Sequence, residues 1–306
     1  MKLKNYLGDL MDGVINLFKP RGMTSHDAVK ILRKILKTKK IGHIGTLDPN
    51  ASGVLPLCIG KATRIVEYLQ DLDKEYIAEL TLGLRTDTQD TEGRVIATSD
   101  KEVDESLIYT IMEKYVGNLS QIPPMYSALK YKGKKLYELA REGKTVDRQP
   151  RNIKIYEQKI IAIQDCKSIL FYVKCSRGTY IRTLCDDIGM DLGTYGYMSY
   201  LIRTGVGNFK INDSYSIEYI EKISKDNINR IIIPMDKALV HLDEFHVEDR
   251  FYGKLISGNI IKVKPDHMDK INENLRIYCK NRFIGVGKLV TKDSNIYLKM
   301  DKVFVI

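Results

Sequence analysis

The period of the apolar positions changes several times along the chain, and each change marks an element. From Met11 the run Met-Asp-Gly-Val-Ile-Asn-Leu-Phe-Lys-Pro opens an alternating pattern that predicts a strand. Val29, Leu32, Ile35 and Leu36 then recur at helical spacing, which predicts a helix over 25–36 capped by Thr24 or Ser25. Residues 74–83 alternate strictly, as a half-buried strand does. A short helix is expected over 65–72, another near 104–115 with Asp104 as its cap, and two strands between Arg151 and Cys175. Residues 214–240 read as a helix and a connector. From residue 243 the pattern shifts to short alternating strands punctuated by Gly253, Gly258, Gly285 and Gly287. Several half-buried strands with few long helices predict an α/β (α+β) fold. Neither internal repeats nor low-complexity segments interrupt it.

One stretch obeys neither period. Ile41 to Arg64 reads IGHIGTLDPNASGVLPLCIGKATR, with four glycines, two prolines and a single carboxylate, Asp48. Turn formers this dense, flanked by Leu47, Val54, Leu55 and Ile59, describe a shaped loop held against a core. Gly45 and Gly53 allow positive φ or close backbone approach, while Pro49 and Pro56 fix φ and remove donors. On local features alone, Asp48 reads as readily as a structural residue of an Asp-Pro turn as it does as a chemical group.

Composition narrows the setting. At 306 residues, 43% hydrophobic and 29% charged, the chain is long enough for one large domain and a small one, with an ordinary soluble composition. No apolar run approaches the roughly 18 residues of a membrane span and no signal peptide is visible, so a cytoplasmic location without membrane contact is expected. Cys58, Cys166, Cys175, Cys185 and Cys279 form no CxxC pair and the five histidines show no paired spacing. Buried free thiols are expected, and no metal. A net charge of +10 fits a polyanionic partner without saying which.

The loop then supplies a kinship. GHIGTLDPNASGVLPLCIGKATR closely resembles the catalytic motif of the TruB-type tRNA pseudouridine synthases, of the stand-alone bacterial kind, over roughly 20 consecutive positions, far more than a lone short motif. The resemblance recurs in Lys19-Pro-Arg-Gly-Met-Thr-Ser, in the Lys74 to Gly83 strand, and in the polar Leu84 to Gly93 loop. It continues through Gln121-Ile-Pro-Pro-Met-Tyr-Ser-Ala-Leu-Lys, Cys175-Ser-Arg-Gly-Thr-Tyr-Ile-Arg and Leu201-Ile-Arg-Thr-Gly-Val-Gly-Asn-Phe. It implies a pseudouridine-synthase fold, with a mixed and mainly antiparallel sheet, flanking helices and a small C-terminal PUA-like β-barrel. The implied domains are an N-terminal extension (1–10), a catalytic domain (11–242) and a PUA-like RNA-binding domain (243–306).

The implied reaction isomerises uridine 55 in the T-loop of tRNA: the N1–C1′ bond breaks, the base turns and C5–C1′ forms. No redox step and no cofactor are needed. By resemblance Asp48 is the nucleophile, and the sequence leaves open whether it attacks C1′, abstracts the 2′ proton or adds to the ring. Tyr76 is placed against the base for proton transfer at C5. Tyr180 and Arg182 are two apart and would share a face on a strand; a buried Arg182 needs an acid, which the resemblance supplies as Asp48. The base must be flipped out, with His43 filling the space it leaves. Ile44, where the family often has Thr or Ala, would add bulk beside His43. Leu201 is expected on the target base, although an ordinary core leucine reads the same way, and Tyr180 in the pocket wall. Lys19, whose segment supports the loop, and Lys130 complete the substrate-binding set. The acidic residues of the 84–93 loop read as turn and Asx caps. The basic, tyrosine-bearing stretch from Lys130 to Gly143 suits RNA contact, as does Lys37 to Lys40 after the first helix.

The expected partner is the T-arm and elbow of tRNA, bound by a monomer that needs no protein partner. A protein that binds or folds tRNA on the same scaffold, without the chemistry, is the alternative. The guide-RNA-dependent relatives share the aspartate motif, but their long basic tails are absent here. A chain starting at Met11 is expected to keep full isomerase activity, measured as tritium release from C5-labelled tRNA; loss of activity would give residues 1–10 a role.

Overall fold

Strand alternation becomes a sheet whose two faces feed separate cores. The computed structural model describes residues 11–223, 225–264 and 270–304; the expected 1–10 extension lies outside them. The chain opens with β1 (Gly13–Lys19), α1 (Ser25–Ile35), β2 (Ile41–His43), β3 (Ser52–Ile59), α2 (Val66–Leu69) and β4 (Lys74–Leu82). A hairpin of β5 (Leu84–Thr86) and β6 (Val95–Thr98) precedes α3 (Glu105–Lys114) and β7 (Gly117–Gln121). A smaller hairpin, β8 (Lys130–Tyr131) with β9 (Lys134–Lys135), leads into α4 (Leu136–Arg141). Then follow β10 (Arg151–Gln164), β11 (Ser168–Cys175), α5 (Ile181–Asp191), β12 (Gly196–Val206) and β13 (Phe209–Lys210). After α6 (Ile217–Lys222), α7 (Lys225–Ile228) and α8 (Met235–Ala238), the tail holds β14 (Asp243–Val247), α9 (Tyr252–Ile256) and β15 (Ile261–Val263). It ends with β16 (Asn274–Cys279), β17 (Arg282–Lys292) and β18 (Asn295–Val303).

The large sheet runs β1–β3–β12–β4–β11–β10–β7, with β2 on β3 and β13 on β12. Its pairs are antiparallel except β3 with β12, where Ser52 meets Ile202 and Gly53 meets Arg203 in parallel. This is the mixed, mainly antiparallel α/β sheet expected. One face of β4 and β11 (Ala78, Leu80, Phe171, Val173) packs on α3 and α5. Ile15, Leu17, Leu55 and Leu57 pack on α1 and α6, while Val14, Val54 and Cys58 project into another core. β1 and β3 are buried on both faces, so β3 reads as an apolar run, while the alternation expected of β1 does not divide it into a buried and an exposed face, since Asn16 and Lys19 are buried as well.

That last core is shared. Ala62, Ile65, Leu69 and Leu239 pack with Val286 and Phe304 of the tail. Arg64 donates to the Val303 carbonyl at 2.9 Å and lies over the Phe304 ring, and Arg276 donates to the carbonyls of Leu242 at 2.8 Å and Asp236 at 3.2 Å. The tail sheet, ordered β14–β16–β17–β18–β15, also has its own core around Leu275, Ile277, Leu289 and Leu298.

The local elements differ from their sequence signals in few places. Thr24, not Ser25, caps α1, forming a capping box with Asp27, a device that contributes about 1 kcal/mol. Asp104 stands at the start of α3 but makes no side-chain cap bond. The 65–72 helix is a 3-10 turn, Gly60–Ile65, followed by the single turn of α2. The loop after β4 contributes a strand, β5. All five cysteines are free, but Cys166 is half exposed, because it sits in the β10–β11 turn rather than in a core.

Gly53 shows how tightly β3 meets β12. Its φ is +112°, and a Cβ there would stand 2.2 Å from the Arg203 carbonyl oxygen. Gly53→Ala is expected to lower the urea midpoint by at least about 3 kcal/mol in unfolding free energy, strain and overpacking together. An unchanged midpoint would contradict this close approach.

Candidate active site

Asp48 rides on a loop whose backbone is held from three sides. The Ser25 hydroxyl accepts the Leu47 N–H at 2.9 Å and donates to the Leu47 carbonyl at 3.0 Å, fixing the residue before it. The Gly22 N–H donates to the Pro49 carbonyl at 2.8 Å, fixing the residue after it. Lys19 is wholly buried and donates to the carbonyls of Pro20 at 2.8 Å, Met23 at 2.9 Å and Pro49 at 3.4 Å. The third side is Arg203 of β12, which donates to the carbonyls of Val54 at 2.7 Å, Thr46 at 3.2 Å and Gly45 at 3.2 Å. Loop carbonyls cannot join a strand ladder, so buried ones need donors brought by side chains.

Against this loop stands Arg182. Its Nε lies 3.0 Å from Asp48 Oδ2, with only 6% of the Arg182 side chain exposed against 39% for Asp48. The same guanidinium donates to the carbonyls of Thr88 at 3.1 Å and Tyr126 at 2.9 Å, and sits 3.6 Å from Asp90. Arg182 lies in the first turn of α5, where the helix dipole disfavours a cation. Two carboxylates and two carbonyls offset that and make its burial tolerable.

This overturns one sequence expectation. Tyr180 and Arg182 do not share a strand face: Tyr180 is the N-cap of α5 and Arg182 is inside the helix. The switch occurs there because Gln121, at the end of β7, brackets Tyr180: it accepts the Tyr180 N–H at 2.8 Å and donates to its carbonyl at 3.1 Å. The 84–93 loop does form an Asx turn, with Asp90 accepting the Glu92 N–H, and Asp87 closes the loop by accepting the Arg94 N–H seven residues on. It also does more, since Asp90 and the Thr88 carbonyl seat Arg182. That loop is anchored in turn by buried Asp186, which takes Arg85 at 2.6 and 2.7 Å and Gln89 at 2.8 Å.

The other residues singled out differ in where they lie. Tyr76 and Leu201 are buried in one cluster with Leu47 and Ala51, and Tyr76 pairs across the sheet with Arg203. Burial pushes the Tyr76 phenol up to about 12, opposed by the charge of Arg203. His43 is half buried on β2, and burial, then the charges of Arg203 and His26, lower its pKa. Tyr180 is half buried, and burial raises its phenol. Ile44 is completely buried in the core with Val54, Cys58 and Ile65, so its bulk is absorbed there rather than beside His43. Lys19 lies beneath the loop, its ammonium taken by carbonyls and its pKa lowered to about 8, chiefly by burial. Lys130 stands apart on the exposed β8–β9 hairpin. From the sequence, Asp90, Gln121 and Arg203 have no expected place in the site, and Ser25 only that of a helix cap. Only Arg203 had a readable signal, a cation on the inward phase of an alternating strand.

Residues 33–181 match the model of the TruB family pseudouridylate synthase N-terminal domain, and residues 182–240 that of the tRNA pseudouridylate synthase B C-terminal domain. The chain belongs to the TruB family. It is 45% identical over 297 residues to tRNA pseudouridine synthase B of Clostridium kluyveri, covering 96% of this chain and 100% of that protein. The same enzyme of Alkaliphilus oremlandii is 43% identical over 289 residues, covering 93% and 95%. Among solved structures, a Cbf5–Nop10–Gar1 complex superposes with a TM-score of 0.75 at 29% identity, over 99% of this chain and 88% of that one. An H/ACA RNP bound to a substrate RNA gives 0.73 at 27% identity, over 97% and 86%. The fold is therefore that of the pseudouridine synthases.

Within α5, Asp187 is half buried beside Asp186 and Asp191, and burial followed by Asp186 raises its carboxyl to about 6. The folded chain thus holds a proton there between about pH 4 and pH 6 that the unfolded chain has lost, so stability falls as pH rises through that window. Asp187→Asn is expected to stabilise the protein above pH 6 by on the order of 1 kcal/mol, discounted for the carboxyl's remaining solvent contact. The gain should vanish below about pH 4. Thermal midpoints at pH 7.5 and pH 3.5 would check it.

Proposed function

We propose that this protein isomerises uridine 55 in the T-loop of tRNA to pseudouridine, with Asp48 as the nucleophile. The single observation that supports this best is the 3.0 Å contact between the buried Arg182 guanidinium and the half-exposed Asp48 carboxylate. It leaves one charged oxygen-bearing group pointing at solvent from a rigid seat, as a nucleophile for a glycosidic carbon requires. Arg182 orients that carboxylate and holds its charge beside it.

In this reading the N1–C1′ bond breaks, C5–C1′ forms, the C5 proton leaves and N1 takes one up. The ring of Tyr76 packs on the base together with Leu201. Burial raises the Tyr76 phenol further above neutral pH, and the charge of Arg203 opposes that shift and so favours the phenolate that would take the C5 proton. Tyr180 lines the pocket, and His43, held toward its neutral form, fills the space of the flipped base. Lys19 acts through the loop it supports. Lys130 and the cation–π pairs of Lys132 with Tyr131 and Arg141 with Tyr137 form an RNA-contacting edge. No metal or cofactor enters these steps.

The boundaries proposed are residues 11–242 for the catalytic domain and 243–306 for a PUA-like RNA-binding domain, after an extension over 1–10. The protein is proposed to act as a monomer in the cytoplasm, without a protein partner. No helix among the described residues is long and apolar enough to cross a membrane.

The decisive experiment compares wild type with Asp48→Asn on tRNA tritiated at C5 of its uridines. Release from the T-loop uridine by the wild type, reduced at least about 10³-fold in the variant, is expected for loss of a nucleophile. Tight tRNA binding with no release by either protein would instead support a binding-only protein.

A further inference from the structure

Arg203 is only 1% exposed and is among the largest fully buried side chains of the chain. Its hydrogen bonds go to the carbonyls of Gly45, Thr46 and Val54, with no carboxylate among these acceptors. Burying a guanidinium against carbonyls and the Tyr76 phenol, with no carboxylate among these partners, is costly, and a neutral apolar side chain would pack a strand interior more simply. The three acceptors share one property: they belong to the two arms of the single loop that carries Asp48. Gly45 and Thr46 enter it, and Val54 is the third residue of β3, the strand that leaves it.

The backbone of the same residue grips the same loop. Arg203 pairs in parallel with Gly53, where the approach leaves no room for a Cβ. On the neighbouring strand it pairs with Tyr76. Its charge is felt by the groups around the loop, as the second cause, after burial, of the lowered pKa values of Lys19, Lys74 and His43. Lys74 in turn donates to the carbonyls of Gln70 and Leu72, so it does not serve the loop arms.

We infer that Arg203 is a positioning residue for the reaction: its planar fork ties both arms of the Asp48 loop to β12, and so sets the carboxylate's position relative to Tyr76 and Arg182. The inference rests on Asp48 as the nucleophile. A fork, not merely a charge, is required, because three carbonyls on two chain segments are reached by separate N–H groups in one plane. A lysine ammonium at the same site is a point donor on a thinner stem and cannot span both arms.

The test uses the full-length protein and C5-tritiated tRNA under single-turnover conditions with enzyme in excess, comparing wild type, Arg203→Lys, Arg203→Gln and Asp48→Asn. Assays run well below each variant's thermal midpoint, and tRNA dissociation constants are measured alongside. A misplacement of about 1 Å at a reacting group can cost about 10²-fold. Arg203→Lys is therefore expected to lose about 10²-fold in the rate constant, with tRNA affinity within threefold of wild type. A purely structural role would lower the thermal midpoint and the folded fraction, read by circular dichroism, while leaving the rate constant at saturating folded enzyme unchanged. If Arg203→Gln does not fold, Arg203→Lys carries the comparison alone. A rate constant within threefold of wild type in Arg203→Lys, with Asp48→Asn inactive, overturns the positioning role and leaves the proposed function standing. A rate loss matched by an equal loss of tRNA affinity overturns it as well. An active Asp48→Asn overturns both readings.

Discussion

The contact on which the architecture turns is one cation against one carboxylate, Arg182 Nε to Asp48 Oδ2 at 3.0 Å. Its two partners are exposed to different degrees, and that asymmetry organises the surroundings. The carboxylate stays partly in solvent, and the cation behind it is the buried member. A buried cation in a helix's first turn is unfavourable on two counts, desolvation and the dipole. The Thr88 and Tyr126 carbonyls and Asp90 offset both, and each comes from a segment with its own anchors. Asp186 holds Arg85 and Gln89 so that the Thr88–Asp90 turn stays in reach. Much of the polar interior thus forms a chain of supports leading to one oxygen atom.

The Asp48 loop has the complementary difficulty. Glycines and prolines give it a shape no ladder can stabilise, and its carbonyls would otherwise lie unsatisfied beneath a packed sheet. Long cationic side chains serve as a substitute ladder: Lys19 under Pro49, Arg203 under Gly45, Thr46 and Val54. Their positive charge accumulates beside the only carboxylate of the loop. Lys19 shows the tension, with burial and Arg203 lowering its pKa while Asp48 raises it.

The C-terminal sheet is not a loosely tethered appendage. Val286 and Phe304 complete the core begun by Val14, Ile44 and Val54 on the outer face of β1 and β3, close in sequence to the loop itself. Ile44 belongs to that shared core, so the entry to the Asp48 loop and the tail sheet are packed against common neighbours. Any surface the tail presents is held in a set orientation to the elements that flank the Asp48 loop.

Much of this was legible residue by residue. Period-two alternation at 74–82 and 151–175, helical spacing at 25–36 and the dense turn chemistry at 41–64 are local properties, each carried by a handful of adjacent side chains. They became β4, β10, β11, α1 and the shaped loop, and the motif around Asp48 carried the family. What local pattern did not contain was which distant groups would meet. Gly-Thr-Tyr-Ile-Arg suits a strand by composition, yet the helix begins at Ile181 because Gln121, 59 positions earlier, takes both backbone groups of Tyr180. Ser25 had the chemistry of a cap and became a clamp on Leu47 once α1 packed beside the loop. Lys19 and Arg203 are cations that composition assigns to a surface, and only a sheet order that places β1 and β12 on either side of β3 turns them inward to the loop's carbonyls. Sequence alone decided the elements and the placing of one carboxylate, Asp48, in a shaped loop, because those depend on neighbours along the chain. Tertiary structure decided how that carboxylate is aimed, because its supports come from strands and turns tens to hundreds of residues apart.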